Sequence, residues 1–228
     1  VPGAICFDPL NGGNKQWGRF APYRELGYAA AAAARQDFAL GSVGAGTGAT
    51  TVNCKGGIGS ASALSRDGFT VGALAAVNAA GSVLIGDGPW FWAAPFEVDG
   101  EFGGRGFPAQ LPPRALEPVT KGAPRENTTL VVVATDAILT KAQAKRLAVM
   151  AQSGLSRAIY PVHSPLDGDV LFAAATGQRP LSDGTLGLTA IGTLAANVVA
   201  RAIARGVFSA RALSLPGAMP SWHDQFGR

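Results

Sequence analysis

The chain has 228 residues, which suits one large domain or two small ones. Apolar residues make up 47% and charged residues only 15%, with 31 glycines, a composition that argues against disorder and for buried backbone, close packing and an oligomer. The net charge of +4 comes without a Lys/Arg run, so nucleic acid is not an expected partner, and no apolar run of about 18 residues marks a membrane span.

The chain opens Val1-Pro2-Gly3-Ala4-Ile5-Cys6-Phe7-Asp8, without Met and without a secretory signal. It starts in what reads as mid-strand, so an N-terminal part is expected to precede it, and the expected location is cytoplasmic. Residues 4–7 read as a short strand and 11–17 as a Gly/Asn loop. Residues 22–35 read as an Ala-rich helix with Pro22 near its first turn. A glycine-rich segment covers 42–53. Residues 58–64 and 69–78 read as two strands joined by the turn Ser65-Arg66-Asp67-Gly68. Residues 83–85 read as another short strand, and 86–126 as a long Gly/Pro/aromatic linker with a functional or processing role.

The second half is more regular. Residues 130–134 read as a buried strand. Thr140 is a fair N-cap for a helix whose apolar stripe is Leu147, Met150, Ala151, Leu155, Ala158 and Ile159. Residues 169–175 form another apolar strand. Ile191, Leu194, Ala195, Val198, Ala202 and Ile203 mark a second periodic helix. The order is mixed α/β, with helices covering stacked sheets.

The chemistry-bearing positions are few. Glu126-Asn127-Thr128-Thr129 carries a polar loop into the apolar run Leu130-Val131-Val132-Val133. Cutting before Thr128 would give one residue both an α-amine and a β-hydroxyl, the amine serving as base for its own hydroxyl. Strands beginning Thr-Thr are common, however, and the junction alone is a weak signal.

Val43-Gly44-Ala45-Gly46-Thr47-Gly48 is neither a dinucleotide fingerprint nor a phosphate loop, because the glycines alternate and no Gly-Lys-Ser/Thr follows. Lys55, just beyond it, is a solvated lysine or, if buried, a group that positions a carboxylate or an amine. Asn78 ends an apolar strand and is either bonded to local backbone or a donor to an oxyanion. Asp167-Gly168-Asp169 precedes a strand and is either a plain turn or two carboxylates aimed at one site. His163 lies close, but no Gly-x-Ser-x-Gly elbow supports a triad. Cys6, Cys54, His163 and His223 provide neither a disulfide framework nor metal-ligand spacing, so no metal or cofactor is expected.

Taken together, residues 1–8, 22–32, 43–50, 55–62, 69–81, 127–137 and 167–176 and the final helix resemble the P1 family of self-processing peptidases. This is the L-aminopeptidase/D-esterase, DmpA-like group (peptidase family S58), which includes β-peptidyl aminopeptidases and nylon-oligomer hydrolases. The resemblance implies a four-layer α/β/β/α sandwich similar to N-terminal-nucleophile hydrolases. It implies one domain over 1–228, divided by self-cleavage at Asn127–Thr128 into an α part, 1–127, and a β part, 128–228. Thr128 is then the nucleophile, Asn78 assists the oxyanion, and Lys55, Asp167 and Asp169 orient and tune the nucleophile.

The Asp-Gly-Asp pair leans toward the Thr branch that resembles the nylon-oligomer hydrolases. The family's N-terminal region, with a site Tyr, has no counterpart here. The implied function is hydrolysis of short peptides, amino-acid amides or esters, or linear amides, by αβ units that self-associate. The rival readings are a weakly active family member and a non-enzymatic small-molecule binder using the 44–59 loop.

Overall fold

The computed structural model describes residues 3–9, 11–121, 127–181 and 183–227. Four strands form one sheet in sequence order: β1 (Gly57–Leu64), β2 (Thr70–Val77), β3 (Leu130–Ile138) and β4 (Val170–Pro180). β1 and β2 make an antiparallel hairpin, with Ser60 opposite Leu74. Its turn closes through Gly68 N–H to the Ser65 carbonyl at 2.9 Å. Gly68 sits at φ +78°, where a Cβ would be strained. β2 and β3 are antiparallel, with Leu74 opposite Val132, and β3 and β4 are parallel, with Val132 opposite Phe172.

A parallel pair needs a crossover, and α2 (Lys141–Ser156) supplies it. Its N-terminus is set by Thr140, whose hydroxyl accepts from Gln143 N–H while the Gln143 side chain accepts from Thr140 N–H. That reciprocal cap satisfies two amides that a helix start leaves without partners. α3 (Gly184–Phe208), capped by Asp183, packs on β1 and β2 and against α2 on one face of the sheet. Strand alternation supplies the other half of the core: Val71, Ala73, Ala75 and Val77 on β2, and Val131, Val133 and Ala137 on β3, all point under the helices. The approach is close because Gly59 lets the sheet touch the helix backbone, where a Cβ would collide with the Ala202 carbonyl. The described residues thus build one β layer and one α layer. Leu74 and Val132 lie side by side on the opposite face, each more than two-fifths exposed.

Several expectations change. Residues 4–7 are irregular, and residues 83–85 contribute a single isolated bridge, Leu84 with Phe91, beside that of Ser82 with Tyr160. The predicted helix over 22–35 is shorter, α1 (Tyr23–Ala32), with every residue exposed. The long linker is partly structural: Phe91 and Phe102 are buried and join Phe208 and Trp222 in an aromatic cluster. Residues 122–126 lie outside the described residues. α3 is long and apolar enough, by length and composition, to cross a membrane, contrary to the expectation that no segment would be. More than half of its most apolar window is buried against the sheet, and it serves as the core helix. A short α4 (Trp222–Phe226), capped by Ser221 and Asp224, had no counterpart in the sequence reading.

Candidate active site

β3 and β4 start side by side, and the residues just before them are paired as well, with Asn127 bridging Asp167 in parallel. The bond Asn127–Thr128 therefore lies along the Asp167-Gly168-Asp169 segment. Gly168 N–H donates to the Asn127 carbonyl at 2.8 Å, and Val170 N–H donates to the Thr129 carbonyl at 3.1 Å. The Thr128 hydroxyl donates to the same Asn127 carbonyl at 2.6 Å. Two donors thus converge on the carbonyl of the bond before Thr128, and both polarise it. Thr128 is held from the other side, its N–H donating to the Asn78 carbonyl at 2.9 Å.

Gly168 has no room for a side chain, since a Cβ there would lie 2.7 Å from the Thr128 hydroxyl. Only glycine lets the amide and the hydroxyl reach one oxygen together. Asn127, Thr128 and Thr129 are all buried.

The two aspartates do different things. Asp167 accepts from Ala80 N–H at 3.0 Å, tying the start of β4 to the chain just past β2. Asp169 accepts from Thr129 N–H at 2.7 Å through Oδ1, while its Oδ2 is buried with no hydrogen-bond partner among the described residues. His163 Nδ1 stands 3.8 Å from that oxygen. Burial, helped by the charge of Asp167, pushes the Asp169 carboxyl up to about 7. A group that exchanges its proton near neutral pH is suited to general acid–base work.

Asn78 is completely buried. Its Oδ1 accepts from Thr50 N–H at 3.0 Å and from the Lys121 ammonium at 3.0 Å, and its Nδ2 donates to the Phe7 carbonyl at 2.8 Å. Its main-chain carbonyl braces Thr128, while the donors on the Asn127 carbonyl are Gly168 N–H and the Thr128 hydroxyl and not the Asn78 amide. Lys55 is no surface lysine: it is 1% exposed and donates to the carbonyls of Gly46, Ala49 and Gly56, each at 2.7 Å. Burial lowers its pKa to about 8. It ties the glycine-rich segment into the turn that presents Thr50 to Asn78, and so reaches Thr128 through two residues, Thr50 and Asn78.

Two of the glycines around that segment are explained by the protein's own backbone. A Cβ on Gly46 would meet the Gly41 carbonyl, and one on Gly56 would meet the Val77 carbonyl. Burial raises the Cys6 and Cys54 thiols to about 11 and about 12, so neither is a thiolate nucleophile at neutral pH. A cleft of about 330 Å³ lined by Asn53, Ser82, Trp92, Arg114 and Tyr160 does not include Thr128 or either aspartate.

Sequence reasoning missed Gly168 as a donor and Lys121 altogether. The first had a readable trace, a glycine between two acids at a strand start. Lys121 had none.

The chain is thus a mixed α/β protein with a threonine at the head of an inner strand of its sheet. Residues 4–218 match the family described as Peptidase family S58, and the chain belongs to that family of peptide- and amide-bond hydrolases. It is 42% identical over 240 residues to an uncharacterized aminopeptidase of Mycobacterium tuberculosis, covering 99% of this chain and 67% of that protein. It is 34% identical over 150 residues to the β-peptidyl aminopeptidase BapA of Sphingosinicella microcystinivorans, covering 64% of this chain and 36% of that protein. Among solved structures, a Burkholderia sp. β-aminopeptidase superposes with a TM-score of 0.63 at 26% identity, over 92% of this chain and 57% of that one. The L-aminopeptidase D-Ala-esterase/amidase of Ochrobactrum anthropi, described as a variant of the Ntn-hydrolase fold, shares the fold with a TM-score of 0.57 at 22% identity, over 86% and 55% of the two chains. The chain thus spans about two thirds of the mycobacterial relative and a little over half of the solved chains it matches.

Proposed function

We propose that this chain is the body of a self-processing amide hydrolase whose nucleophile is Thr128. The observation that carries the reading is the Asn127 carbonyl, which accepts at once from Gly168 N–H and from the Thr128 hydroxyl. In the first step the Thr128 oxygen bonds to the Asn127 carbonyl carbon and the C–N bond breaks. The hydroxyl proton passes to the departing nitrogen, which becomes the free α-amine of Thr128. Water then hydrolyses the resulting ester, leaving a carboxylate on Asn127 and the regenerated hydroxyl on Thr128.

Asp169, able to exchange a proton near pH 7, is the group we assign to proton traffic, with Asp167 holding the strand start and raising its neighbour's pKa. In the processed protein the Thr128 amine takes over as base. Its reference pKa of about 7.7–8.0 leaves a useful neutral fraction near pH 7. The hydroxyl attacks an external amide or ester, an acyl-enzyme forms, and water releases it. Short peptides, amino-acid amides or esters and linear amides with a free amine are the substrates we infer, from the names of the relatives, with αβ units associating into a homo-oligomer. Asn78 and Lys55 act through Thr50 and the chain around Thr128.

A ligand-binding protein using the glycine-rich loop is less well supported, because the space beside Gly46, Gly56, Gly57 and Gly59 is filled by backbone and that beside Gly48 by Asp8, which leaves Gly44 open. Intact-mass analysis of the full-length protein tests the reading. A C-terminal piece spanning 128–228 and beginning Thr-Thr-Leu is expected, and a chain that stays whole after long incubation refutes the mechanism.

A further inference from the structure

Lys121 sits on the loop leading to the Asn127–Thr128 bond and is fixed at three points. Its N–H donates to the Ala80 carbonyl at 3.0 Å, and its carbonyl accepts from Asn127 Nδ2 at 3.0 Å. Its ammonium donates to the Thr50 carbonyl at 2.5 Å, to Thr50 Oγ1 at 2.6 Å and to Asn78 Oδ1 at 3.0 Å. An ammonium carries N–H donors and no acceptor, so the converging oxygens of Thr50 and Asn78, both buried residues, match it in polarity. Asn78 Oδ1 shares the ammonium with Thr50 N–H at 3.0 Å and Thr50 Oγ1 shares it with Asn11 Nδ2 at 3.4 Å, so the Thr50 carbonyl is the acceptor that leans most on the lysine.

The cluster is built on the machinery around Thr128. Asn78, whose side chain takes the ammonium, holds Thr128 N–H with its own carbonyl. Asn127, whose carbonyl is to be attacked, is gripped by the Lys121 carbonyl. One lysine therefore ties together the two residues whose relative position sets the attack.

We propose that Thr50 O, Thr50 Oγ1 and Asn78 Oδ1 form a subsite for a primary ammonium group, and that Lys121 fills it from within the unbroken chain as a positioning residue for self-cleavage. The inference rests on the reading that the Asn127–Thr128 bond is cut. The ligand class is a primary alkylammonium, because a quaternary ammonium has no N–H to give the three oxygens. Lys121 touches neither the attacking hydroxyl nor the attacked carbonyl, so its contribution is geometric. Misplacement of a reacting group by about 1 Å costs on the order of a hundredfold in rate.

Full-length wild-type protein and Lys121→Ala are made by cell-free translation, and cleavage is followed by intact mass, with and without propylammonium or tetramethylammonium. Wild-type protein is expected to be cut, and Lys121→Ala to be cut about a hundredfold more slowly. Propylammonium should accelerate the variant saturably and tetramethylammonium should not, a response that a purely structural lysine would not produce. Cleavage of Lys121→Ala at the wild-type rate, or slow cleavage indifferent to propylammonium, overturns the subsite. A wild-type chain that stays whole overturns the cleavage reading and this inference with it, which distinguishes the two failures. Should the alanine variant not fold, Thr50→Val keeps the side-chain shape and removes one acceptor. It is expected to slow cleavage about tenfold, the effect of losing one hydrogen bond to a charged group, and an unchanged rate would count against the subsite.

Discussion

Replacing Asp169 by Asn should make the protein more stable at pH 8 and less able to cut itself. The carboxyl is pushed from the ordinary 3.8 up to about 7, by burial first and the charge of Asp167 second, and its side chain is 3% exposed. The folded state therefore keeps this proton to higher pH than the unfolded chain does. Between about pH 4 and 7 the folded state binds more protons, so this group makes stability fall as pH rises, and above pH 7 the loss is complete. At about 1.4 kcal/mol per tenfold change, the full loss is about 4 kcal/mol. Asparagine never ionises and does not carry that loss. At pH 4 the buried carboxyl is protonated and neutral as well, so asparagine offers Thr129 N–H an acceptor of the same charge. The variant should thus match the parent at about pH 4 and be about 4 kcal/mol more stable at pH 8. Urea denaturation at fixed pH reads the difference as a midpoint shift of about 1 M or more in favour of the variant at pH 8. Both proteins should carry Thr128→Ala so that each is a single uncut chain. An offset between the two that is the same at pH 4 and pH 8 would refute the assignment of a buried, late-ionising carboxyl.

The other expectations concern the site itself. Thr128→Ala should abolish both cleavage and amide hydrolysis in the full-length protein, read by intact mass and amine release, while Thr128→Ser should keep part of each; normal cutting by the alanine variant would displace the nucleophile. Gly168→Ala should slow cleavage about a hundredfold with the fold retained by circular dichroism, because its Cβ would lie 2.7 Å from the Thr128 hydroxyl and force the two apart; a wild-type rate would remove Gly168 from the mechanism. Lys55→Met should destabilise the protein by about 1–3 kcal/mol at pH 7, since buried carbonyls of Gly46 and Gly56 lose their ammonium donor. Urea midpoints equal to wild type would show that the lysine contributes nothing beyond filling space.

The elements that were legible in the sequence are those whose partners sit at a regular period. Ile191, Ala195, Val198, Ala202 and Ile203 repeat at helical spacing because α3 lies along one sheet face, and all five are fully buried. Thr140 announced α2 because capping chemistry is local. Residues 4–7 looked like a strand from their apolar side chains, but a strand needs a neighbour to bond, and here Phe7 bonds the Asn78 side chain instead. The candidate site was legible as side chains and illegible as backbone. Asn127, Thr128, Asp167 and Asp169 could be singled out by type, whereas the Gly168 donor facing the Asn127 carbonyl is a main-chain N–H, which every residue except proline possesses. Lys55 hid for the opposite reason. An ammonium satisfied by three carbonyls reads in sequence like any solvated lysine, and only the crowd of glycines around it hinted at burial.

The order of the sheet has a consequence for what cutting would do to the molecule. β3 is hydrogen-bonded on one edge to β2, which precedes the Asn127–Thr128 bond, and on the other to β4, which follows it. α3, also from the later part, lies across β1 and β2 from the earlier part. Severing the chain at that point therefore opens a covalent link without opening an interface. The two polypeptides would remain interleaved, copurify as one unit and come apart only when the sheet itself melts. Reassembly from denaturant would then depend on protein concentration, since two pieces must meet to build one core, whereas the uncut chain carries both halves on a single string.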